Sequence, residues 1–177
     1  MNQCLTGCPN LERRPLHMTA FVDASHAANR VTRRSHTGFI IFVNSAPIIW
    51  YSKRQSTVEA STFSSEFIAL KTCVESISAL RFKLRMFGIP LNHNDSTHED
   101  DAAYIFCDNE TVVKNSTKME STLNKKHSSI AYHFVRWNVA AGMITLSWIM
   151  STANLADAFT KLLSQTVREN LFSQWTY

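Results

Sequence analysis

The chain has 177 residues, of which 45% are hydrophobic and 18% are charged, and this composition excludes a disordered chain. Its length predicts one domain, and its formal net charge of +4 is compatible with a polyanionic partner without requiring one. The longest apolar runs are far shorter than the roughly 20 residues that cross a bilayer, and no secretory signal opens the chain. We therefore expect a soluble intracellular protein without a membrane partner.

The amino-terminal part divides into an irregular segment and a set of strands. Residues 1–17 are polar, contain two prolines and show no periodicity, which predicts a linker or the tail of an upstream region. Residues 18–177 are then expected to form the domain. The runs MTAFVDAS, FIIFVN and IIWYSK, with a turn at residues 45–47, predict three consecutive antiparallel strands.

A long helix is predicted over residues 61–87. Apolar side chains recur there at steps of three, four or seven residues, as on one face of a helix, and Gly88 follows as a stop signal. The side chains of this face are Phe63, Phe67, Leu70, Val74, Ile77 and Leu84.

Strands and helices alternate in the remaining part. A polar acidic loop over residues 92–101 precedes the short apolar strand YIFC, a helix begins after Asp108, and another spans residues 128–141 up to Gly142. The strand MITLSWI and a last helix over residues 153–163 follow. This order predicts an α/β fold with a mixed five-stranded sheet, in which three antiparallel strands are joined by parallel additions and helices cover both faces.

The four cysteines are spaced neither as a CxxC metal motif nor as a disulfide framework. Cys73 and Cys107 lie in apolar segments, where a reduced thiol behaves as a small hydrophobic side chain. We therefore expect both thiols to be buried and structural.

Four carboxylates occupy positions that stability alone does not explain. Asp23 interrupts an apolar strand, and Glu66 lies on or beside the apolar stripe of the long helix. Asp108 directly follows YIFC, at the carboxyl end of a buried strand, where open α/β sheets place their ligands. Asp157 falls in the first turns of the last helix.

Together these carboxylates favour a metal site. An uncompensated buried carboxylate is so costly that such groups are usually paired with a cation. Carboxylate oxygens are hard ligands, which suit Mg²⁺ or Mn²⁺ rather than zinc. Two such ions can activate water and stabilise the leaving oxygen of a phosphodiester, so we infer phosphodiester hydrolysis.

Each carboxylate also has a structural interpretation when it is taken singly. Asp23 could pair with Arg33 or Lys53. Asp108 could cap a helix, Glu66 could be a solvated charge at the rim of a helix, and Asp157 could interact favourably with a helix dipole. The ordered set, with one acid on a strand, one on a helix, one at a strand end and one at a helix start, favours the metal site.

Six blocks follow one another along residues 19–163: FVDAS, RRSHTGFIIFVNSAPIIWYSKRQSTVEAS, STFSSEFIAL, IFCDNE, NKKHSSIAYHFVR and NLADAFTK. Taken together and in this order, they resemble the ribonuclease H region of copia-type LTR retrotransposon polyproteins. The resemblance implies a ribonuclease H-like fold. It also implies a metal site that binds two Mg²⁺ ions, with Mn²⁺ as a substitute, through Asp23, Glu66, Asp108 and Asp157.

The resemblance further implies an activity, partners and a location. Members of this family cleave the RNA strand of RNA/DNA hybrids during reverse transcription and leave 5′-phosphate and 3′-hydroxyl ends. The implied partners are the hybrid and the reverse transcriptase domain of the same polyprotein, and the implied location is the virus-like particle in the cytoplasm, or the nucleus. No reverse-transcriptase, protease or integrase segment is attached, so we expect an excised domain or a decayed remnant.

Two departures from the family pattern leave the expected ligands in place. DASH stands where related sequences read DADW, so Ser25 replaces a second acid, and Ser64 replaces an additional glutamate. Two alternatives remain: a non-catalytic remnant that binds nucleic acid or a polymerase, and another nuclease of the same fold such as an integrase core. The three-strand opening, the helical glutamate and the fourth acid favour ribonuclease H over an integrase core.

Basic residues near the expected metal site are candidates for nucleic-acid binding. Phosphate contacts from Arg33, Arg34, Lys53 and Arg54 would give affinity that depends on salt and not on sequence. The alternative is a solvated charged loop. Asn109 could reach a 2′-hydroxyl, which distinguishes RNA from DNA, or could cap a helix instead.

A second candidate surface lies on the helix predicted at residues 128–141. Lys125 and Lys126 precede this helix, which carries Tyr132 and Trp137. Basic residues interleaved with aromatic ones can bind nucleic acid, but aromatic residues at helical spacing more often face the core. We therefore expect Tyr132 and Trp137 to pack against the sheet.

Overall fold

The computed structural model describes residues 16–89, 102–118 and 129–173. The strands are β1 Met18–Ser25, β2 His36–Val43, β3 Ala46–Arg54, β4 Ala103–Cys107 and β5 Ile144–Trp148. The helices are α1 Thr62–Met86, α2 Glu110–Thr117, α3 Ser129–Ala140, α4 Asp157–Thr160 and α5 Gln165–Phe172, with a 3₁₀ turn at Ser151–Ala153. The predicted acidic loop at 92–101, Lys125, Lys126 and most of the predicted linker at 1–17 lie outside the described residues.

The strands form one five-stranded sheet in the order β3-β2-β1-β4-β5. β1 pairs antiparallel with β2, and β2 pairs antiparallel with β3. β4 is parallel to β1, and β5 is parallel to β4. The predicted mixed sheet is therefore confirmed. Since β1, β4 and β5 run in the same direction, their carboxyl ends meet at one edge of the sheet.

Alternation along β1 produces two hydrophobic clusters, one on each face of the sheet. Ala20, Val22 and Ala24 join the larger cluster, which contains the buried side chains of α1 and α3. Phe21, between them, belongs to a smaller cluster with Leu155 and with side chains of β2, α4 and α5. Helices therefore cover both faces, as predicted.

Helix α1 begins and ends within one residue of the bounds predicted from the sequence. The Ser61 hydroxyl caps the first turn by accepting a hydrogen bond from the Ser64 amide at 3.3 Å. Gly88, with φ of 69°, adopts the left-handed conformation just beyond the last turn. Phe67 and Leu70 are fully buried, and each burial of this kind contributes roughly 1.5–3 kcal/mol.

The prediction of one continuous last helix over residues 153–163 is wrong. The chain forms the 3₁₀ turn, breaks at Asn154, and then makes only the single turn of α4 before α5, which was not predicted. The buried Asn154 amide donates to the Val22 carbonyl at 3.0 Å, and its Oδ1 accepts from the Ala156 amide at 3.1 Å. These bonds compete with helical ones, as short polar side chains often do.

Two smaller expectations also need correction. Trp137 is 65% exposed and does not pack against the sheet, whereas Tyr132 is 2% exposed and belongs to the larger core cluster, where its ring contacts Phe67. Val135 is buried on the same face as Tyr132, so Trp137, two residues further on, points away from it. The turn between β2 and β3 lies at Asn44 and Ser45, and Pro47 belongs to β3, an edge strand, where proline is tolerated.

Cys73 and Cys107 are buried and free, as predicted, and burial raises the pKa of both thiols. Within the described ranges, no helix combines the length and apolar character needed to cross a membrane.

Candidate metal centre

The four predicted carboxylates converge at the edge of the sheet where the parallel strands end. Ligand oxygens of Asp23, Asp108 and Asp157 lie within 4.8 Å of one another. A second group within the same limit joins Glu66, the Cys107 sulfur and Asp108. Asp108 belongs to both groups, so the four acids form one continuous cluster.

A glycine beside Asp23 in the sheet allows α4 to approach the cluster. Asp23 lies opposite Gly38 on β2, and Gly38 lies opposite Ser52 on β3. A Cβ atom on Gly38 would be 2.5 Å from the Thr160 methyl carbon and 3.0 Å from the Ala156 carbonyl oxygen. Glycine at this position therefore lets α4 lie directly against the strands.

Two hydrogen bonds hold α4 over the sheet. The Thr160 hydroxyl donates to Asp23 Oδ2, and the Ser52 hydroxyl donates to the Phe159 carbonyl at 2.7 Å. Together with the bond from Asn154 to Val22, they attach α4 and the segment before it to β1 and β3. Asp157, the first residue of α4, is thereby brought to Asp23.

Among the described residues, Lys161 is the cation that pairs with this cluster. Its Nζ lies 2.7 Å from Asp157 Oδ1 and 3.6 Å from Asp23 Oδ2. Asp23 therefore pairs with Lys161 and not with Arg33 or Lys53, the two partners expected from the sequence. Burial acts to lower the pKa of the ammonium, but the hydrogen bond to Asp157 and the charge of Asp23 outweigh it, so the pKa is raised.

Glu66 has one buried carboxylate oxygen without a hydrogen bond from any described residue. The residue is 4% exposed, and this oxygen is its Oε2 atom. Burial, and then the charges of Asp23 and Asp108, raise its pKa to about 9. Burial also raises the pKa of Asp23, although Thr160 and Lys161 act against this. The site therefore strongly favours an added positive charge.

The donor set fits hard divalent cations. The carboxylates of Asp23, Glu66, Asp108 and Asp157 offer only oxygen, which Mg²⁺ and Mn²⁺ prefer, and the orphaned Oε2 of Glu66 lacks the partner that a cation would supply. Cys107 is a poor candidate ligand for these ions because sulfur is a soft donor, which suits other metals.

Asn109 has a structural use next to the cluster. Its side chain caps α2 by accepting a hydrogen bond from the Val112 amide at 3.2 Å. Asp108 does not act as that cap, and its backbone carbonyl accepts a hydrogen bond from the Trp148 indole at 3.0 Å. The helix-capping alternative for Asn109 is thus observed, and its contact with a 2′-hydroxyl stays a prediction.

Three of the predicted basic residues share an open groove beside the cluster. Arg34, Lys53 and Arg54 line a cavity of about 540 Å³, whose other lining residues are Asn29, His36, Gln55 and Ser56. Arg33 is exposed on the same loop but does not line the groove. Three cationic side chains around one open cavity form a surface suited to phosphate groups.

Hydrogen bonds connect the groove to the helices that carry the acids. The Gln55 amide donates to the Thr37 hydroxyl at 3.0 Å and to the Ser65 carbonyl at 2.9 Å, next to Glu66. His36 Nε2 is 3.0 Å from the Ser52 hydroxyl, which in turn bonds to α4. The groove and the acidic cluster therefore belong to one connected framework.

Sequence comparison finds relatives among transposon polyproteins. The chain is 27% identical over 175 residues to the retrovirus-related Pol polyprotein of transposon RE1 from Arabidopsis thaliana, an alignment of 96% of this chain and 11% of the polyprotein. It is 25% identical over 146 residues to that of transposon TNT 1-94 from Nicotiana tabacum, covering 82% and 10%. The chain therefore spans about a tenth of the curated relatives it matches. No family model matches it.

Structural comparison identifies the architecture. The RNase H domain of a Mycobacterium tuberculosis protein aligns with a TM-score of 0.55 at 11% identity, over 91% of this chain and 99% of that one. LC11-RNase H1 in complex with an RNA/DNA hybrid aligns with a TM-score of 0.55 at 15% identity, over 80% and 92%. The chain has a ribonuclease H fold. Its homologues are the Pol polyproteins of copia-type transposons.

Within this ribonuclease H fold, sequence reasoning found the carboxylates but missed the residues that arrange them. Gly38, Thr160 and Lys161 were not singled out, although each determines how Asp23 and Asp157 meet. One local signal was available, since Lys161 follows Asp157 at the i,i+4 spacing of a helical ion pair. Gly38 and Thr160 had no comparable signal, because their contact joins residues far apart in the chain.

Proposed function

We propose that this chain is a metal-dependent endoribonuclease that cleaves the RNA strand of RNA/DNA hybrids during retrotransposon reverse transcription. The observation that carries the proposal is the convergence of four carboxylates, one of which is the buried Glu66, whose Oε2 has no hydrogen-bond partner among the described residues. A stable core gains nothing from such a group, whereas a cation-binding site requires it.

Each acid has a distinct position in the proposed mechanism. Asp23, Asp108 and Asp157 would hold one divalent cation, and Glu66 with Asp108 a second, so that Asp108 is the shared ligand. When bound, the cations would supply Lewis-acid stabilisation of the charge that develops on the phosphate. Asp23 and Glu66 are almost fully buried, so their side chains are held in place before any ligand arrives.

The proposed substrate follows from the groove and from the relatives. Arg34, Lys53 and Arg54 would bind phosphates of the hybrid, with Arg33 as an outlying contact, and Asn109 would lie near a 2′-hydroxyl. A structural neighbour binds an RNA/DNA hybrid, and a foamy viral protease-reverse transcriptase bound to such a hybrid aligns with a TM-score of 0.50 at 12% identity. We propose the reverse transcriptase domain of the same polyprotein as a partner, since the relatives are Pol polyproteins about ten times longer than the chain.

The test is cleavage of an end-labelled RNA/DNA hybrid in the presence of Mg²⁺ or Mn²⁺. We expect cutting of the RNA strand only, with single-stranded RNA and duplex DNA left intact. Asp108→Asn removes the shared ligand and should lower the rate by more than about 100-fold, since even changes to partners of metal ligands cost 10- to 100-fold. Glu110→Gln, on the exposed face of α2, is the matched control and should cleave normally.

The alternative of a non-catalytic remnant has a different outcome in the same assay. Hybrid binding that is unaffected by divalent ions, without cleavage at any ion concentration, would support a nucleic-acid-binding module. It would overturn the proposed catalytic activity of this chain.

A further inference from the structure

Lys161 occupies a position that a divalent cation also requires. Its ammonium lies within contact distance of carboxylate oxygens of both Asp157 and Asp23, which belong to the same three-acid group. We propose that Lys161 competes with the divalent cation for these two carboxylates and so sets the metal affinity of the centre. This inference rests on the metal site of the proposed function.

The competition follows from the space and charge available. A Mg²⁺ ion binds carboxylate oxygens at about 2.1 Å, so an ion shared by Asp23 and Asp157 would lie where the ammonium now interacts with both. The two cations repel each other at such short range, and therefore the ammonium must leave when the ion enters. A divalent ion compensates the three acids better than one ammonium does, which gives the exchange its direction.

Lys161 can leave without disturbing the core. Its side chain is 42% exposed, whereas that of Asp23 is 3% exposed. The backbone of Lys161 stays anchored because its amide donates to the Asp157 carbonyl at 2.9 Å and the preceding residue, Thr160, bonds to Asp23. Only the flexible side chain has to swing toward solvent.

A second ion pair of the same helical spacing, on α2, serves as a control for an ordinary salt bridge. On α2, Lys114 Nζ lies 2.6 Å from Glu110 Oε1, with the same i,i+4 spacing as Lys161 and Asp157. Both side chains of that pair are more than half exposed, and neither residue belongs to the acidic cluster. Replacing Lys114 should therefore leave metal binding unchanged.

The experiment is calorimetric titration of the full chain with Mg²⁺ and with Mn²⁺. Lys161→Met should bind the ions about fivefold more tightly than the wild type, because no ammonium has to be displaced. Lys161→Arg keeps a competing cation and should resemble the wild type, as should Lys114→Met. Circular dichroism checks that each variant is folded.

A measurement on the wild type covers the case in which Lys161→Met does not fold. Lysine acetylation by a water-soluble reagent, followed by mass spectrometry, reports how accessible each amine is. Saturating Mg²⁺ should increase the modification of Lys161 by about threefold or more, since an ion-paired ammonium is protected, while Lys114 should not respond.

The possible outcomes distinguish a failure of the Lys161 competition from a failure of the proposed metal site. In one outcome, the wild type binds the ions, Lys161→Met binds them no more tightly, and Mg²⁺ leaves the acetylation of Lys161 unchanged. This result overturns the competition but not the metal site. A wild type and Lys161→Met that both fail to bind Mg²⁺ and Mn²⁺ overturn both proposals. Tight binding that appears only in Lys161→Met supports the competition in its strongest form.

Discussion

Glu66 brings a carboxyl group into the interior, where no hydrogen-bond partner among the described residues meets its Oε2 atom. Burial and the neighbouring acids raise its pKa to about 9, against an ordinary value of 4.5. Without a bound cation, and between pH 4.5 and about pH 9, Glu66 therefore keeps its proton in the folded protein but has lost it in the unfolded chain. Folding stability must then fall as the pH rises through this window.

We predict that Glu66→Gln removes most of this pH dependence. In the presence of a chelator, the variant should be more stable than the wild type at pH 8 by more than about 1 kcal/mol, because glutamine has no charge to bury. Near pH 4.5 the two should be alike. Urea unfolding across the pH range measures this, with the exposed Glu75→Gln on the same helix as control. If the pH dependence of folding stability in Glu66→Gln equals that of the wild type, Glu66 is not its cause.

At the scale of elements, the position of α4 is determined by its contacts with three strands and not by the intrinsic stability of the helix. A helix of four residues has little stability of its own, and its position depends on Asp23, Gly38 and Ser52, which lie side by side across the sheet. Gly38 provides the space, and the other two provide hydrogen bonds. This arrangement brings Asp157 and Lys161 to Asp23.

Gly38→Ala should therefore damage the centre as well as the fold. The added Cβ would clash with Thr160 and force α4 away from β2, at a cost of about 1–3 kcal/mol. We expect metal affinity and cleavage to fall together. Thermal unfolding and metal titration measure the two effects.

Gly88→Ala is the matched control for this prediction. Gly88 has φ of 69°, so alanine there is strained by about 1 kcal/mol, yet nothing lies within 4 Å of the added Cβ atom. It should lose comparable stability and keep normal metal affinity. Equal losses of metal affinity in both variants would mean that Gly38 acts only through global stability.

At the scale of the whole molecule, the acidic cluster and the basic groove lie in one framework formed by β1, β2, β3 and the start of α1. Opposite charges at neighbouring sites suit a polyanion whose backbone is bound in one place and cleaved in another. The framework is held by the side chains of Gln55 and Ser52, which bond to the helices carrying Glu66 and Asp157.

We predict that Arg34→Ala and Arg54→Ala weaken hybrid binding and reduce its salt dependence. Each substitution removes one phosphate contact, so the slope of log affinity against log salt should decrease in magnitude by about one. Cleavage at saturating hybrid should change little, because neither residue touches the acids. Fluorescence anisotropy at several salt concentrations measures the slope.

Arg85→Ala is the control for the groove prediction. Arg85 is exposed in the last turn of α1, at the opposite end of that helix from Glu66. Its replacement should leave the salt slope unchanged. An equal change in slope for all three variants would indicate binding by general charge rather than by the groove.

The sequence by itself determined the order of the strands and helices as far as β5, the long helix and its ends, and the identity of the four acids. These features follow from local rules, since hydrophobic periodicity and the stop at Gly88 act over a few residues. The resemblance to retrotransposon ribonuclease H supplied the fold name, and the structural neighbours confirmed it. The roles of the acids as ligands remain predictions.

Only the tertiary structure decided how the acids are compensated and where the last helix breaks. The bond from Asn154 to Val22 spans 132 positions, and that from Thr160 to Asp23 spans 137, so no local pattern could reveal either. The same holds for Gly38, whose missing side chain matters because a distant helix lies against it. Such contacts depend on which segments the folded sheet brings together, and that information is not contained in any short stretch of sequence.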